Sequence, residues 1–166
     1  LMKFWAEKGV DGFRLDAFQF AAKDTTFPEF PQGYENNFIQ YYAMQPGLHD
    51  YLKEMNQQVF APYGVVSVAE GAGRSFEEAH ELVDADRQEL QMAYAFDGVD
   101  VAKYDGYSLA TLKQVFTDWD RSFAEKGWLS IFLSNHDQAR LVSRYGNDSP
   151  EFRVASIKLL NTFLLT

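Results

Sequence analysis

The sequence contains no cysteine, which excludes a disulfide framework and a thiolate metal site. Its 15 lysines and arginines are outnumbered by 24 acidic residues, giving a net charge of −9. Because phosphate binding depends on clustered cations, no nucleic-acid partner is expected. No apolar run approaches the roughly 20 residues of a membrane-spanning helix, so no membrane partner is expected. A neutral small-molecule substrate is compatible with this composition.

Histidine is also scarce, with three residues in 166. No Ser-His-Asp triad can be argued from them, and no cluster of His and Asp has metal-ligand spacing, so neither a metal nor another cofactor is predicted. His49 and His80 are expected to be exposed helix residues without a role. Cysteine-free chains occur inside and outside cells, which leaves the compartment open, and the cytoplasm is the working expectation.

Three carboxylates each follow a short apolar run: Asp16 after Gly-Phe-Arg-Leu, Glu70 after Val-Val-Ser-Val-Ala, and Asp137 after Leu-Ser-Ile-Phe-Leu-Ser-Asn-His. An acid among apolar residues is costly unless it is paired or used, so three of them ask for a chemical reason. Alternation predicts a strand before Asp16, and a β-branched run predicts one before Glu70. Each strand would present its acid at its carboxyl end.

The order of predicted elements is strand, helix, strand, helix. Strands are predicted at about 11–17, 65–70, 89–96 and 129–134, and helices at about 1–8, 47–60, from Ser75, from Ser108 to about 126, and from Ser149 onward. Residues 18–46 are predicted to be a long irregular, aromatic-rich loop. Parallel strands joined by helices place all their carboxyl ends on one side, so the acids should converge.

Several of these segments together carry a family resemblance. Residues 12–17, 68–71 and 134–137 resemble the second, third and fourth sequence regions of the α-amylase family of retaining glycoside hydrolases. Residues 87–92 and 135–148 further resemble its oligo-1,6-glucosidase and α-glucosidase branch. The resemblance implies an α/β fold, namely an incomplete segment of a TIM (β/α)₈ barrel with about four β/α units, strands 4 to 7. A doubly wound open sheet is the structural alternative.

By the same resemblance, three acids would act on a glycosidic bond. Asp16 would be the nucleophile, Glu70 the general acid/base and Asp137 the acid that holds sugar hydroxyls and stabilises the transition state. Arg14 lies two residues before Asp16, hence on the same strand face, where its cation would keep Asp16 ionised and oriented. His136 would donate a hydrogen bond to the reacting sugar.

Two further positions bear on substrate choice. In the α-glucosidase branch, a bulky Val after the nucleophile goes with α-1,6 linkages and a small residue with α-1,4, so Ala17 favours α-1,4 oligosaccharides. Phe96 resembles one half of an aromatic clamp found in sucrose isomerases of the branch, but the other half would fall at Ala72, which has no ring. A strand-end core ring is the alternative interpretation of Phe96.

The resemblance leaves several functions open. The main hypothesis is a retaining α-glucosidase acting on an oligosaccharide or disaccharide, with residues 1–166 as a partial catalytic domain. A sucrose-converting or transglycosylating enzyme shares the first half-reaction. A catalytically silent carbohydrate-binding relative is disfavoured by the intact acids. Because four strands cannot close a barrel, the missing barrel half is expected to be needed for a complete fold, and the segment alone is expected to be inactive.

Overall fold

A computed structural model describes residues 1–35, 37–102 and 108–165. The chain divides into two compact units. The first unit comprises residues 1–94 and 125–129, and the second comprises residues 95–124 and 130–166. Each unit is described below by its own contacts.

Within the described residues, the strands form one four-stranded sheet in the order β1-β2-β3-β4, with bounds β1 Gly12–Leu15, β2 Val66–Ala69, β3 Met92–Ala95 and β4 Leu129–Ile131. β1 pairs with β2, and β2 with β3, in parallel. Leu15 stands opposite Ala69, so Asp16 and Glu70 leave the sheet at the same level. The strand order never reverses, which favours a barrel segment over a doubly wound sheet.

The helices connect and flank these strands. Their bounds are α1 Met2–Glu7, α2 Phe38–Tyr42, α3 Leu48–Met55, α4 Ala61–Tyr63, α5 Phe76–Val83, α6 Asp97–Asp100, α7 Leu109–Phe123, α8 Leu141–Tyr145 and α9 Arg153–Leu165. Short 3₁₀ turns cover Phe18–Phe20 and Ala85–Arg87, and a π-turn covers Asn56–Phe60. In the ranges described, none of the helices has the length and apolarity that crossing a bilayer takes.

The helix starts predicted at Ser75 and Ser108 are confirmed, since these residues are the N-caps of α5 and α7. Ser75 Oγ accepts a hydrogen bond from the N–H of Glu78 at 3.3 Å, and Ser108 Oγ accepts one from the N–H of Thr111 at 3.4 Å. Such caps satisfy amide groups that the first turn of a helix leaves unpaired. The Glu78 carboxylate does not complete a capping box, because it accepts the N–H of Arg74 instead, at 2.6 Å.

Several helix predictions are corrected. The loop 18–46 contains a 3₁₀ turn and α2, and α8 was not predicted. The helix predicted over 47–60 changes at residue 56 to a π-turn shortly before Pro62, which has no N–H to donate. The last helix begins at Arg153 rather than at Ser149, and a turn precedes it in which the Ser149 carbonyl accepts from Phe152 at 3.1 Å and from Arg153 at 2.9 Å.

Each unit has its own buried apolar core. In the first unit the buried residues include Leu48 and Leu52 of α3, Val59 and Phe60 of the π-turn, and Ala69, Leu82 and Ala93. In the second unit the buried residues are Leu112, Leu133, Tyr145 and Leu160. The Tyr145 hydroxyl in this core donates to the carbonyl oxygens of Gly98 at 2.7 Å and Val99 at 3.0 Å.

The expectation that His49 and His80 are exposed is wrong. Both are half-buried, and His49 Nδ1 lies 2.6 Å from Oε2 of Glu89, whose side chain is fully buried. Arg87 Nη2 lies 3.2 Å and Lys53 Nζ 3.9 Å from the other carboxyl oxygen. His80 pairs with Asp84 at 2.7 Å. A buried carboxylate needs such partners, so Glu89 fixes α3 and the turn that precedes β3.

Glu89→Gln should therefore destabilise the protein. It leaves the cations of Lys53 and Arg87 and the imidazole of His49 facing a neutral amide. The expected loss is about 2–3 kcal/mol, below the usual cost of breaking a fully buried pair because these partners are partly exposed. Urea unfolding measures it. Glu54→Gln, at an exposed carboxylate on α3, is the matched control and should change stability by about 0.5 kcal/mol or less. Equal effects would contradict a buried charge cluster.

Candidate active site

The carboxyl ends of β1 and β2 bring two of the predicted acids together. Arg14, on the same face of β1 as Asp16, binds Asp16 Oδ1 through Nη1. Its Nη2 lies 2.6 Å from Oε1 of Glu70, the residue that follows β2. A single planar guanidinium thus bridges both carboxylates, a geometry that its paired donors favour.

The main chain at Ala17 makes a second connection to Glu70. The Ala17 N–H donates to Glu70 Oε2 at 3.0 Å, and the N–H of Glu70 donates to the carbonyl of Leu15 at 3.0 Å. Ala17 has φ +45° and ψ +27°, in the left-handed region, which ends β1 and starts the turn Phe18–Phe20. Both oxygens of Glu70 are therefore held, one by Arg14 and one by the backbone.

The two acids differ in exposure, and the cation between them is charged. The Asp16 side chain is 73% exposed and the Glu70 side chain 18%, so Asp16 is open to an incoming molecule while Glu70 is shielded. Burial acts to lower the pKa of Arg14, but its hydrogen bond to Asp16 and the charge of Glu70 outweigh burial and raise it. The guanidinium therefore stays charged. The open Asp16 carboxyl group can act as a nucleophile, and Glu70 can donate a proton once one of its oxygens is released from Arg14 or from the Ala17 N–H.

The loop after Glu70 is held by its own contacts. Arg74 Nε binds both carboxyl oxygens of Glu78, at 2.9 and 3.1 Å, and Arg74 Nη1 donates to the carbonyl of Gln40 at 3.0 Å. Gly73 has φ +79°, and a Cβ there would lie 2.7 Å from Cβ of Glu78, so only glycine fits. This loop is consequently anchored to α5 and to the segment that contains α2.

The second unit holds the remaining predicted residues. His136 Nε2 lies 3.5 Å from Asp137 Oδ1, both side chains are exposed, and the N–H of Asp137 donates to Asn135 Oδ1 at 3.0 Å. Phe96, at the end of β3, is half-buried with its ring edge-to-face against Phe132 at a centroid distance of 5.1 Å. The Phe96 ring thus has a packing partner of its own.

Comparison with known proteins places these observations in a family. The sequence model of the alpha-amylase catalytic domain matches residues 1–166. The chain belongs to the alpha-amylase family. It is 38% identical to an oligo-1,6-glucosidase of Bacillus cereus, covering 99% of this chain and 31% of that protein. It is 37% identical to an alpha-glucosidase of Candida albicans, covering 96% of this chain and 30% of that protein.

Solved structures agree with the alpha-amylase family fold. A variant of isomaltulose synthase from Erwinia rhapontici, in complex with sucrose, matches 99% of this chain and 31% of its own with a TM-score of 0.93 at 31% identity. A trehalose-6-phosphate hydrolase from Bacillus licheniformis matches 98% and 30% with a TM-score of 0.85 at 32% identity. The expected fold, an incomplete segment of a TIM barrel, is confirmed. The chain spans about three tenths of the length of these alpha-amylase family relatives.

Two features of this candidate site could not be predicted from the sequence. The hydrogen bond from Ala17 to Glu70 is made by a backbone group, which every residue but proline carries, so no residue type signals it. The left-handed conformation of Ala17 is equally hidden, because alanine is not a residue that usually marks it. Only the hydrogen bonds between the ends of two strands reveal both.

Ala17→Gly should be neutral or stabilise the protein by up to about 1 kcal/mol, because glycine relieves the left-handed strain and keeps the N–H. Urea unfolding tests it. The matched control is Ala61→Gly at a helical position with φ −68°, where the same change should cost about 1 kcal/mol. Destabilisation of similar size at both positions would contradict strain at Ala17.

Proposed function

We propose that this chain carries the nucleophile and the acid/base of a retaining α-glucosidase, with Asp16 and Glu70 in those roles. The observation that carries the proposal is the guanidinium of Arg14 bound to both carboxylates at adjacent strand ends, in a chain of the alpha-amylase family. Retaining enzymes keep their two carboxyl groups only about 5 to 5.5 Å apart. Two carboxylates sharing one guanidinium support such a close pair.

The proposed reaction proceeds in two displacements. An Asp16 oxygen attacks the anomeric carbon while the protonated Glu70 gives its proton to the leaving oxygen, which yields a covalent glycosyl-enzyme and a free sugar. Glu70 then removes a proton from water, whose oxygen attacks the anomeric carbon and releases Asp16. Arg14 orients the nucleophile throughout. The roles of Asp137 and His136, holding sugar hydroxyls, and of Phe96, lining the substrate site, rest on the family resemblance.

We propose gluco-oligosaccharides with α-1,4 linkages as the substrate class, because of the small side chain of Ala17. The similarity to oligo-1,6-glucosidases specifically favours α-1,6 bonds as the second candidate. The likeness to an isomaltulose synthase favours sucrose conversion as a third. A silent carbohydrate-binding protein has less support, because both bridged acids are present. The cytoplasmic location stays a prediction.

Residues 1–166 are proposed to be one partial catalytic domain that is inactive by itself. β1 pairs on one side only within the described sheet, and the relatives are about three times longer. Activity tests therefore use a polypeptide that also carries the remaining barrel strands. The products formed from maltose and sucrose by that polypeptide would separate hydrolysis from transglycosylation and isomerisation.

Glu70→Gln should slow substrates with poor leaving groups far more than activated ones. A disaccharide needs the proton and should lose about 10²- to 10⁴-fold in kcat/KM, whereas a nitrophenyl α-glucoside, whose leaving group needs none, should lose much less in the glycosylation step. Steady-state kinetics on both substrates measure the difference. The control Glu77→Gln, at an exposed carboxylate on α5, should leave kcat/KM unchanged for both substrates. Equal losses on the two substrates for Glu70→Gln would refute the acid role.

Ala17→Val should shift linkage preference toward isomaltose. Two added methyl groups at a pocket wall change relative kcat/KM by about 10- to 200-fold. Because Val is also strained at φ +45°, the informative quantity is the ratio of kcat/KM for maltose and isomaltose, which a loss of folded protein leaves unchanged. Ala17→Gly is the control without added volume. A wild type that prefers isomaltose, or a ratio that Val does not move, would exclude Ala17 as the determinant.

A further inference from the structure

The side chain of Gln19 packs against the residue that follows Glu70. Gln19 lies in the 3₁₀ turn just after Ala17, and its amide covers the open face of Gly71. A Cβ at position 71 would lie 3.1 Å from Oε1, 3.3 Å from Cδ and 3.4 Å from Nε2 of Gln19. The amide therefore leaves little room for a side chain at position 71. Gly71 itself has φ +109°, which L side chains rarely adopt.

The Gln19 amide makes this contact at a cost to stability. Its Oε1 is buried and, of the buried side-chain nitrogen and oxygen atoms in the described residues, is the one found without a hydrogen-bond partner. A buried acceptor without a donor destabilises a protein, and an apolar side chain of similar volume would avoid that. Residues that break a local stability rule tend to lie at functional sites.

The backbone around Gln19 is held by hydrogen bonds, which places its side chain beside Gly71. The Gln19 carbonyl accepts the N–H of Met44 at 3.0 Å, and the N–H of Phe20 donates to the carbonyl of Ala17 at 3.1 Å. Phe18, between them, is buried. The turn that carries Gln19 is thus held from within and from the loop around Met44.

Glu70 is held from both ends by the same turn. Ala17 donates to its carboxylate, and Gln19 limits the position of the peptide that follows it. We infer that Gln19 is a positioning residue for Glu70, which keeps the carboxyl group aimed at the leaving oxygen. This inference rests on the proposed acid/base role of Glu70. It assigns Gln19 no contact with substrate.

The test compares Gln19→Ala with Glu70→Gln in a polypeptide that completes the barrel. Removing the amide lets the Glu70–Gly71 peptide shift, and misplacement of a catalytic group by about 1 Å can cost on the order of 100-fold. We expect kcat/KM for maltose to fall about 10- to 100-fold, with a much smaller loss for nitrophenyl α-glucoside. The expected loss is in kcat rather than in KM, because sugar contacts stay intact. Merely structural damage would lower kcat/KM equally for both substrates.

Gln19→Met provides the rescue. Methionine fills a similar volume without a polar atom, so it should restore most of the activity on maltose and raise the unfolding midpoint above that of the wild type. It also tests the inference if the alanine variant fails to fold: Gln19→Met must then retain the wild-type ratio between the two substrates. A changed ratio in that variant would overturn positioning by packing.

Gln58→Ala is the matched control, because Gln58 is an exposed glutamine that binds Glu54 at 2.8 Å. This variant should leave kcat/KM unchanged for both substrates. Equal losses on both substrates for Gln19→Ala, or no loss, would overturn the inference while Glu70→Gln still discriminates between leaving groups. If Glu70→Gln does not discriminate either, the proposed function fails with it.

Discussion

The guanidinium of Arg14 is the interaction on which the candidate site depends. Two carboxylates at neighbouring strand ends repel each other, and a single cation between them makes their proximity favourable. Arg14 can bind both because parallel pairing of β1 and β2 sets Asp16 and Glu70 at the same level. Lysine, with one compact charge and no fork, could not bridge them in the same way. The ion pairs of Arg14 with both acids therefore depend on the parallel register of β1 and β2.

The backbone around the two acids adds further contacts to those that Arg14 makes. A left-handed residue at the exit of β1 directs the Ala17 N–H to Glu70, and the turn that follows brings Gln19 against Gly71. Strain at Ala17 and an unsatisfied oxygen at Gln19 both reduce stability, and both lie beside the same acid. Such concentration of unfavourable local features is typical of functional sites.

A third acid with charged partners, Glu89, lies just before β3. Glu89 is more deeply buried than either candidate catalytic acid and is compensated by His49, Arg87 and Lys53. Its side chain is fully buried, and its partners come from the helix and turn that it connects. A structural charge cluster is thus distinguished from the candidate site by exposure, since 73% of the Asp16 side chain remains accessible.

The sequence by itself determined the strands, the acids that follow them and the family. Alternation at 12–16 and the β-branched run at 65–68 depend on local periodicity, and motifs such as Arg14-x-Asp16 are contiguous. The sequence does not determine helix bounds to the residue, as at Ser149 and Arg153, because the first turn of a helix depends on which carbonyl accepts which N–H.

Only the tertiary structure decided how distant residues meet. The bond from Ala17 to Glu70, the packing of Gln19 on Gly71 and the burial of His49 beside Glu89 join positions separated by tens of residues. No local pattern encodes them, because they follow from the parallel register of β1 and β2 and from the packing of α3 on the turn before β3. The sequence thus supplied the chemical groups, and long-range pairing of backbone and side chains set their geometry.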